Sequence, residues 1–364
     1  MISCRRQPDA HKTTPYHLDI PPYFPTKLNI PDDNPMTEEG VALGRYLFYD
    51  GRLSGRHDPD SMMCCASCHR QESNFEAGAD HPIFQDGFVH GITGIPTAHT
   101  VLPLINLVWN NSGYGWNGFV SPDNEDLNQR SLEDVVRNAV MAKDEIAGDT
   151  SRIVKLFQQT PGYPELFYKA FGSSTITFHN IEKAIAQFIR SLTTTNSKFD
   201  RYLRGEEQLS QEELNGYLLF ITEEGADCFH CHGGGANPLF TTNLFYNNGL
   251  DSIHCDPYDR YSVTGDVNDR GAYKAPSLRN INHSGPYMHD GRFATLDEVI
   301  DFYSENVKWS ETIDPLMHHV MQQGVQLTDK EKRELKAFLQ TLHDEEFLKD
   351  PRHAQPQQFP DERQ

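Results

Sequence analysis

Cys65-Ala66-Ser67-Cys68-His69 and Cys228-Phe229-His230-Cys231-His232 decide how this chain is read. Each run spaces two thiols three residues apart and puts a histidine directly after the second. Both thiols of such a run can add to the vinyl groups of one haem, while the adjacent histidine is presented to the iron from the same side. Zinc or a redox-active dithiol is the rival for Cys-x-x-Cys, but a zinc site needs further ligands at suitable spacing. Two such pairs, each followed at once by histidine, point to haem. The chain is therefore expected to hold two covalently attached haem c groups, bound through Cys65, Cys68, Cys228 and Cys231, with His69 and His232 as proximal iron ligands.

At 364 residues the chain exceeds what one hydrophobic core usually supports, and two motifs fit two domains. Its 52 acidic and 32 basic side chains give a formal net charge of -20, which argues against nucleic acid as a partner. No apolar run approaches the roughly 20 residues of a membrane helix, so the body should be soluble. Met1-Ile2-Ser3-Cys4 before Arg5 resembles a bacterial lipoprotein cleavage box, with Cys4 as the acylated residue and a lipid as the anchor. Four of the seven cysteines belong to the haem motifs. The odd remainder, Cys4, Cys64 and Cys255, argues against a disulfide framework and leaves at most a Cys64–Cys255 pair.

Apolar residues recur at spacings of three and four in most of the chain and alternate nowhere, so the fold class is mainly α with little sheet. The proline-rich residues 1–34 read as an extended arm. Thr37, followed by Glu38 and Glu39, caps a helix that Asp50-Gly51 ends. Residues 70–120 lack periodicity and read as long loops laid over a cofactor. Helices are expected at 131–142, 151–158, 163–171 and 181–192, then at 198–204 and 211–222 leading into the second motif, and finally at 296–304 and 329–342. This gives two cytochrome c-like haem domains, 35–195 and 196–350, joined by the short polar linker 193–196, with a C-terminal tail at 351–364.

Function turns on the far side of each iron. Two strong ligands make an electron carrier, whereas an open position admits peroxide or oxygen. Seventeen histidines and eight methionines offer too many candidates for spacing to choose among.

Several further pieces resemble the bacterial dihaem cytochrome c peroxidases and their relative MauG. They are Leu43-Gly44-Arg45-Tyr46-Leu47-Phe48-Tyr49-Asp50, Asn196-Ser197-Lys198-Phe199-Asp200-Arg201-Tyr202-Leu203, Ala275-Pro276-Ser277-Leu278-Arg279-Asn280-Ile281 and Gly285-Pro286-Tyr287-Met288-His289-Asp290-Gly291-Arg292, with the two motifs in their proper order between them. The resemblance covers most of residues 37–350. It implies that the haem held by His69 meets hydrogen peroxide and that the haem held by His232 receives electrons from a small cytochrome c or cupredoxin. Arg279 and His289 are then expected among the cofactor-binding residues. Glu145 falls where the family places its catalytic glutamate, with Asp144 as the nearest substitute, and Trp116 stands where a tryptophan relays charge between haems. The family's acidic and basic neighbours of that tryptophan are replaced by Asn117 and Phe119. A distal histidine on the first haem could come from His81, His90 or His99. On the second haem, Tyr303 occupies the position of the peroxidases' methionine ligand, as in MauG, with Met288 as the alternative. Phenolate should lower the iron potential relative to thioether. A calcium site is implied at Thr100, Ser284 and Pro286, with Thr100 a poorer donor than the family's asparagine. The family also implies a periplasmic location and a homodimer.

The leading expectation is a peroxidase that reduces H2O2 to water. A MauG-like enzyme that oxidises side chains of a partner protein through a high-valent dihaem state is the alternative favoured by Tyr303. A non-catalytic dihaem electron carrier is the third.

Overall fold

The computed structural model describes residues 11–78, 80–85, 87–234 and 237–362. Cys4, and with it the lipid anchor, lies outside the described residues. Twelve α-helices are found among them: α1 (Glu38–Tyr49), α2 (Leu132–Met141), α3 (Thr150–Gln159), α4 (Tyr163–Phe171), α5 (Phe178–Ser191), α6 (Lys198–Leu203), α7 (Gln211–Phe220), α8 (Phe229–His232), α9 (Tyr261–Thr264), α10 (Leu296–Glu305), α11 (Asp329–Gln340) and α12 (Glu345–Lys349). Two antiparallel ribbons complete the regular structure, β1 (Phe84–Gln85) with β2 (Phe88–Val89) and β3 (Phe245–Tyr246) with β4 (Tyr273–Lys274). No helix among the described residues is long and apolar enough to cross a membrane.

Every helix expected from apolar spacing forms, because the start signals are local. Thr37 accepts from the Gly40 amide at the head of α1. Ser131, Ser197, Ser210, Thr295 and Thr328 each form a reciprocal capping box with an acidic residue three positions on. Thr177 caps α5 and starts it three residues before its apolar stripe. The short α9 and α12 carry too few turns to display a period.

Each motif is served by one close helix crossing. In the first half, α1 packs on α5, and a Cβ built on Gly44 would lie 1.9 Å from the Ala184 carbonyl oxygen and 2.9 Å from Cβ of Phe188. In the second, α7 packs on α11, and the same atom on Gly216 would lie 1.8 Å from the Glu334 carbonyl oxygen and 2.8 Å from Cβ of Phe338. Backbone thus touches backbone at equivalent points of both halves. Gly44→Ala and Gly216→Ala are each expected to cost at least about 1–3 kcal/mol through overpacking, read as a lower denaturation midpoint in guanidinium. An unchanged midpoint in either would show that its crossing can spread freely.

Two large apolar cores follow these crossings, one around Phe48, Phe157, Phe167 and Phe188, the other around Phe199, Phe220, Phe240 and Phe338. The terminal segments are not loose appendages. Leu18, Ile20, Tyr23 and Leu28 gather on Phe24, Val108, Trp109 and Leu239, and the Trp109 indole donates to the Pro25 carbonyl (2.8 Å). The C-terminal segment returns to the first core: Phe347 and Leu348 are buried in it, Arg45 donates to the carbonyls of Pro351 and Ala354, and Arg52 pairs with Asp361. Cys64 and Cys255 are both free thiols, so the Cys64–Cys255 disulfide does not form; the Cys64 sulfur instead faces the Ser67 hydroxyl at 3.8 Å.

Candidate functional site

The first motif forms a tight turn after Cys64, and Nδ1 of His69 lies 2.6 Å from the Phe75 carbonyl oxygen. A carbonyl can only accept, so Nδ1 carries the proton and Nε2 keeps its lone pair for a metal. Burial holds the imidazole pKa down to about 4, which keeps the ring in its neutral, ligating form. Cys68 and His69 open onto a cavity whose walls include Val89, Leu102, Leu104, Val135 and Ala139. Glu145 stands in the same cavity, on the turn after α2, where its carbonyl accepts from the Ile92 amide (2.8 Å). Its carboxyl makes no hydrogen bond to a described residue. Burial, helped by the neighbouring Asp144 charge, raises its pKa to about 7.

Of the three histidines proposed for the distal side, His99 alone lines this cavity, and its Nε2 is held by Asp256 at 2.7 Å. His90 faces the Phe88 carbonyl and His81 accepts from the Ile83 amide.

The second motif forms α8, and Nδ1 of His232 donates to the Pro276 carbonyl at 3.1 Å. Burial again lowers the ring pKa to about 4. Cys228, Cys231 and His232 open onto a largely apolar cavity, walled by Phe220, Leu278, Leu296, Ile300, Leu335 and Leu339. Met288, His289 and Tyr303 line it too. The Tyr303 oxygen accepts from Nδ2 of Asn248 (2.9 Å), and burial raises the phenol pKa well above its ordinary value. His289 stacks flat on Tyr273, with ring centres 3.7 Å apart.

Trp116, Lys274 and Pro276 line both cavities. The Trp116 indole donates to the Thr100 carbonyl (2.8 Å), its own carbonyl accepts from the Lys274 amide (2.8 Å), and its ring meets His289 edge-on at 6.4 Å. The tryptophan is therefore fixed by both halves of the chain. Four half-buried thiols, two neutral imidazoles and two largely apolar cavities suit two haem c groups, with Cys65 and Cys68 or Cys228 and Cys231 as attachment points.

A family profile described as Di-haem cytochrome c peroxidase matches residues 38–208. The methylamine utilization protein MauG of Methylorubrum extorquens is 31% identical over 320 residues, covering 87% of this chain and 82% of that protein. The chain belongs to the di-haem cytochrome c peroxidase family. Another member, the cytochrome c551 peroxidase of Nitrosomonas europaea, is 32% identical over 290 residues, 77% of this chain and 76% of its own. Among solved structures, a MauG-like protein associated with microbial copper homeostasis superimposes with a TM-score of 0.80 at 34% identity, covering 94% of this chain and 99% of that one. Membership makes this di-haem chain an oxidoreductase of the cytochrome c peroxidase type.

Arg279 is held chiefly by the protein itself in this family member. Arg279 is fully buried and is not among the residues lining either cavity; it grips Asp200 through two hydrogen bonds (2.8 and 2.7 Å) and donates to the Pro238 carbonyl. Three of its five N–H groups are so engaged, which gives it a structural part. Sequence reasoning missed Asn248, which holds Tyr303, and Asp256, which holds both His99 and the Tyr273 hydroxyl (2.6 Å). Lys274 was missed as well. Its Nζ donates to the Asn243 carbonyl, and burial, with Arg260 nearby, lowers its pKa to about 7. Only its position beside Ala275-Pro276 gave a signal, since the two asparagine and aspartate loops carry no period.

Proposed function

We propose that the protein is a periplasmic peroxidase that reduces hydrogen peroxide to two waters, using two protons and two electrons from a small cytochrome c or cupredoxin. The observation that carries this reading is the cavity shared by His69 and Glu145. The haem bound there would supply an iron that takes up peroxide and accepts electrons for cleavage of the O–O bond. Glu145, a carboxyl without a hydrogen-bond partner among the described residues and with a pKa near neutrality, is suited to take the proton from one peroxide oxygen and return it to the other. His99 is tied to Asp256, which favours Glu145 as the group that meets the substrate in this cavity. Trp116, fixed between the two cavities, is suited to relay charge from the half that holds His232. The two haem units are taken to divide at the 193–196 linker.

Calcium is proposed at Thr100, Ser284 and Pro286. The Ser284 and Pro286 carbonyls accept no hydrogen bond from a described residue, and the Thr100 hydroxyl, although it donates to the Met288 carbonyl (2.8 Å), keeps lone pairs.

A second reading, oxidation of a partner protein's side chains by peroxide, is favoured by Tyr303. A phenol held by Asn248 in the cavity of His232 is a candidate distal ligand, and as a hard anionic donor it would disfavour the reduced iron that an electron entry point needs. Two measurements separate the readings. Rapid consumption of peroxide by a reduced small cytochrome supports the first, whereas slow turnover with a long-lived near-infrared charge-resonance band after peroxide alone supports the second. Tyr303→Met is expected to change the low-spin ferric electron paramagnetic resonance signal of the second haem. An unchanged signal would remove Tyr303 as the ligand and leave Met288 in its place.

A further inference from the structure

The turn leading into the second motif carries a cluster that peroxide chemistry does not use. Asp227 directly precedes Cys228, and its backbone is held in the left-handed region at φ 54°, an uncommon state for a residue with a side chain. Its side chain is 7% exposed, and Oδ1 lies 2.6 Å from Nδ1 of His230, a residue inside the motif itself. Both atoms are buried, and neither makes an aligned hydrogen bond with the other or with any described residue. The two atoms are close enough for an ion pair but poorly aligned for a shared proton, an arrangement that also suits two donors facing one cation.

A second arm closes on the pair. Nδ1 of His318 lies 3.7 Å from Oδ2 of Asp227 and 2.9 Å from Oε1 of Glu223. One ligand atom from each of Asp227, His230 and His318 falls within 4.8 Å of the other two. The loop bearing His318 is pinned there, because the neighbouring His319 ring approaches the Glu223 carbonyl at 3.0 Å and the His230 and His318 rings meet edge to face at 5.2 Å. Ligand atoms about 2.0–2.2 Å from a common ion stand about 3–4 Å apart in a tetrahedron; the 2.9 and 3.7 Å separations lie near that range, and the 2.6 Å pair would open slightly around an ion.

We propose that Asp227, His230 and His318, with Glu223 as a fourth donor, bind a divalent late first-row transition ion, Cu2+ or Zn2+, beside the second haem motif. Two imidazoles joined by carboxylates suit these ions, whereas calcium and magnesium prefer an all-oxygen shell. Asp227 and His318 also line the cavity of the second motif, but none of the four donors belongs to a proposed iron ligand set or to the group of Thr100, Ser284 and Pro286. It stands whether or not the peroxidase reading does.

The test uses the di-haem holoprotein, stripped with EDTA, in a Cys4→Ser and Cys255→Ser background so that neither thiol competes. Equilibrium dialysis against Cu2+ alone should recover one equivalent per chain, with two-nitrogen hyperfine structure in the copper resonance, and Zn2+ should displace it. His318→Ala, at a side chain 37% exposed, should weaken Cu2+ binding by more than about 100-fold, beyond the usual cost of losing an outer-shell partner. The far-ultraviolet circular dichroism and the guanidinium midpoint should stay unchanged, which excludes misfolding as the cause. Asp227→Asn, nearly the same shape with less charge, should weaken binding in the same direction. Stoichiometric binding absent from the parent protein, or equal binding by His318→Ala, would overturn the proposal and leave the cluster a set of ordinary ion pairs.

Discussion

Glu145→Gln is expected to slow peroxide consumption by about 10²–10⁴-fold, the usual worth of a positioned acid/base group. Glutamine keeps the shape of the side chain but cannot take a proton. The pH dependence identifies the group further. Burial and the Asp144 charge favour the neutral acid up to pH 7 or so, so the wild type should lose rate as pH falls through about 7. Rapid-mixing kinetics should show that limb in the wild type and not in the variant. Stability gives the complementary sign. Between the ordinary carboxyl value of 4.5 and about 7, the native state holds a proton that the unfolded chain has released. Stability from this group is therefore present at the acid end and falls as pH rises across that window. Glu145→Gln removes the loss, so the slow variant should be no less stable than the wild type at pH 8. A variant with wild-type peroxide kinetics would transfer the proton role to Asp144 or to solvent.

Arg279→Met is expected to be the most destabilising single change among the residues discussed, at about 3–5 kcal/mol, the cost of leaving one buried charge without its partner. Both Arg279 and Asp200 are completely buried, and the Pro238 carbonyl would lose its donor as well. Burial by itself would raise the Asp200 pKa, but Arg279 and the Ser197 cap outweigh it and hold the carboxyl below its ordinary value. Removing the guanidinium strands that carboxylate between Phe24 and Phe240, the rings that flank Arg279. The double change Asp200→Leu with Arg279→Met should recover much of the loss, because an apolar pair of similar volume leaves no charge to desolvate. Guanidinium denaturation of the three proteins measures all of this. If Arg279→Met matched the wild type, the pair would be dispensable for stability.

The residues legible in advance share one property: their partners are near in sequence. Cys65, Cys68 and His69, or Cys228, Cys231 and His232, lie within five positions of one another, so covalent chemistry alone restricts what they can hold. The same applies to helix starts, where Ser131 meets Asp134 and Thr328 meets Glu331 across three residues. Glu145 and Tyr303 were reached differently, through resemblance to a family, because nothing local distinguishes them from other acids and phenols.

What tertiary structure alone decided lies between distant segments. It set Trp116 against the Lys274 amide and the Thr100 carbonyl, and so between two cavities. It set Arg279 onto Asp200, 79 positions earlier. It brought His318 to Asp227 and His230 across about ninety residues of chain. The sequence by itself determined that two haem motifs sit among capped, amphipathic helices, since periodicity and capping act within a few residues. The division of those motifs into a cavity with Glu145, a cavity with Tyr303 and a tryptophan shared by both depended on long loops. Such loops have no repeating period, and their course is set by what they pack against.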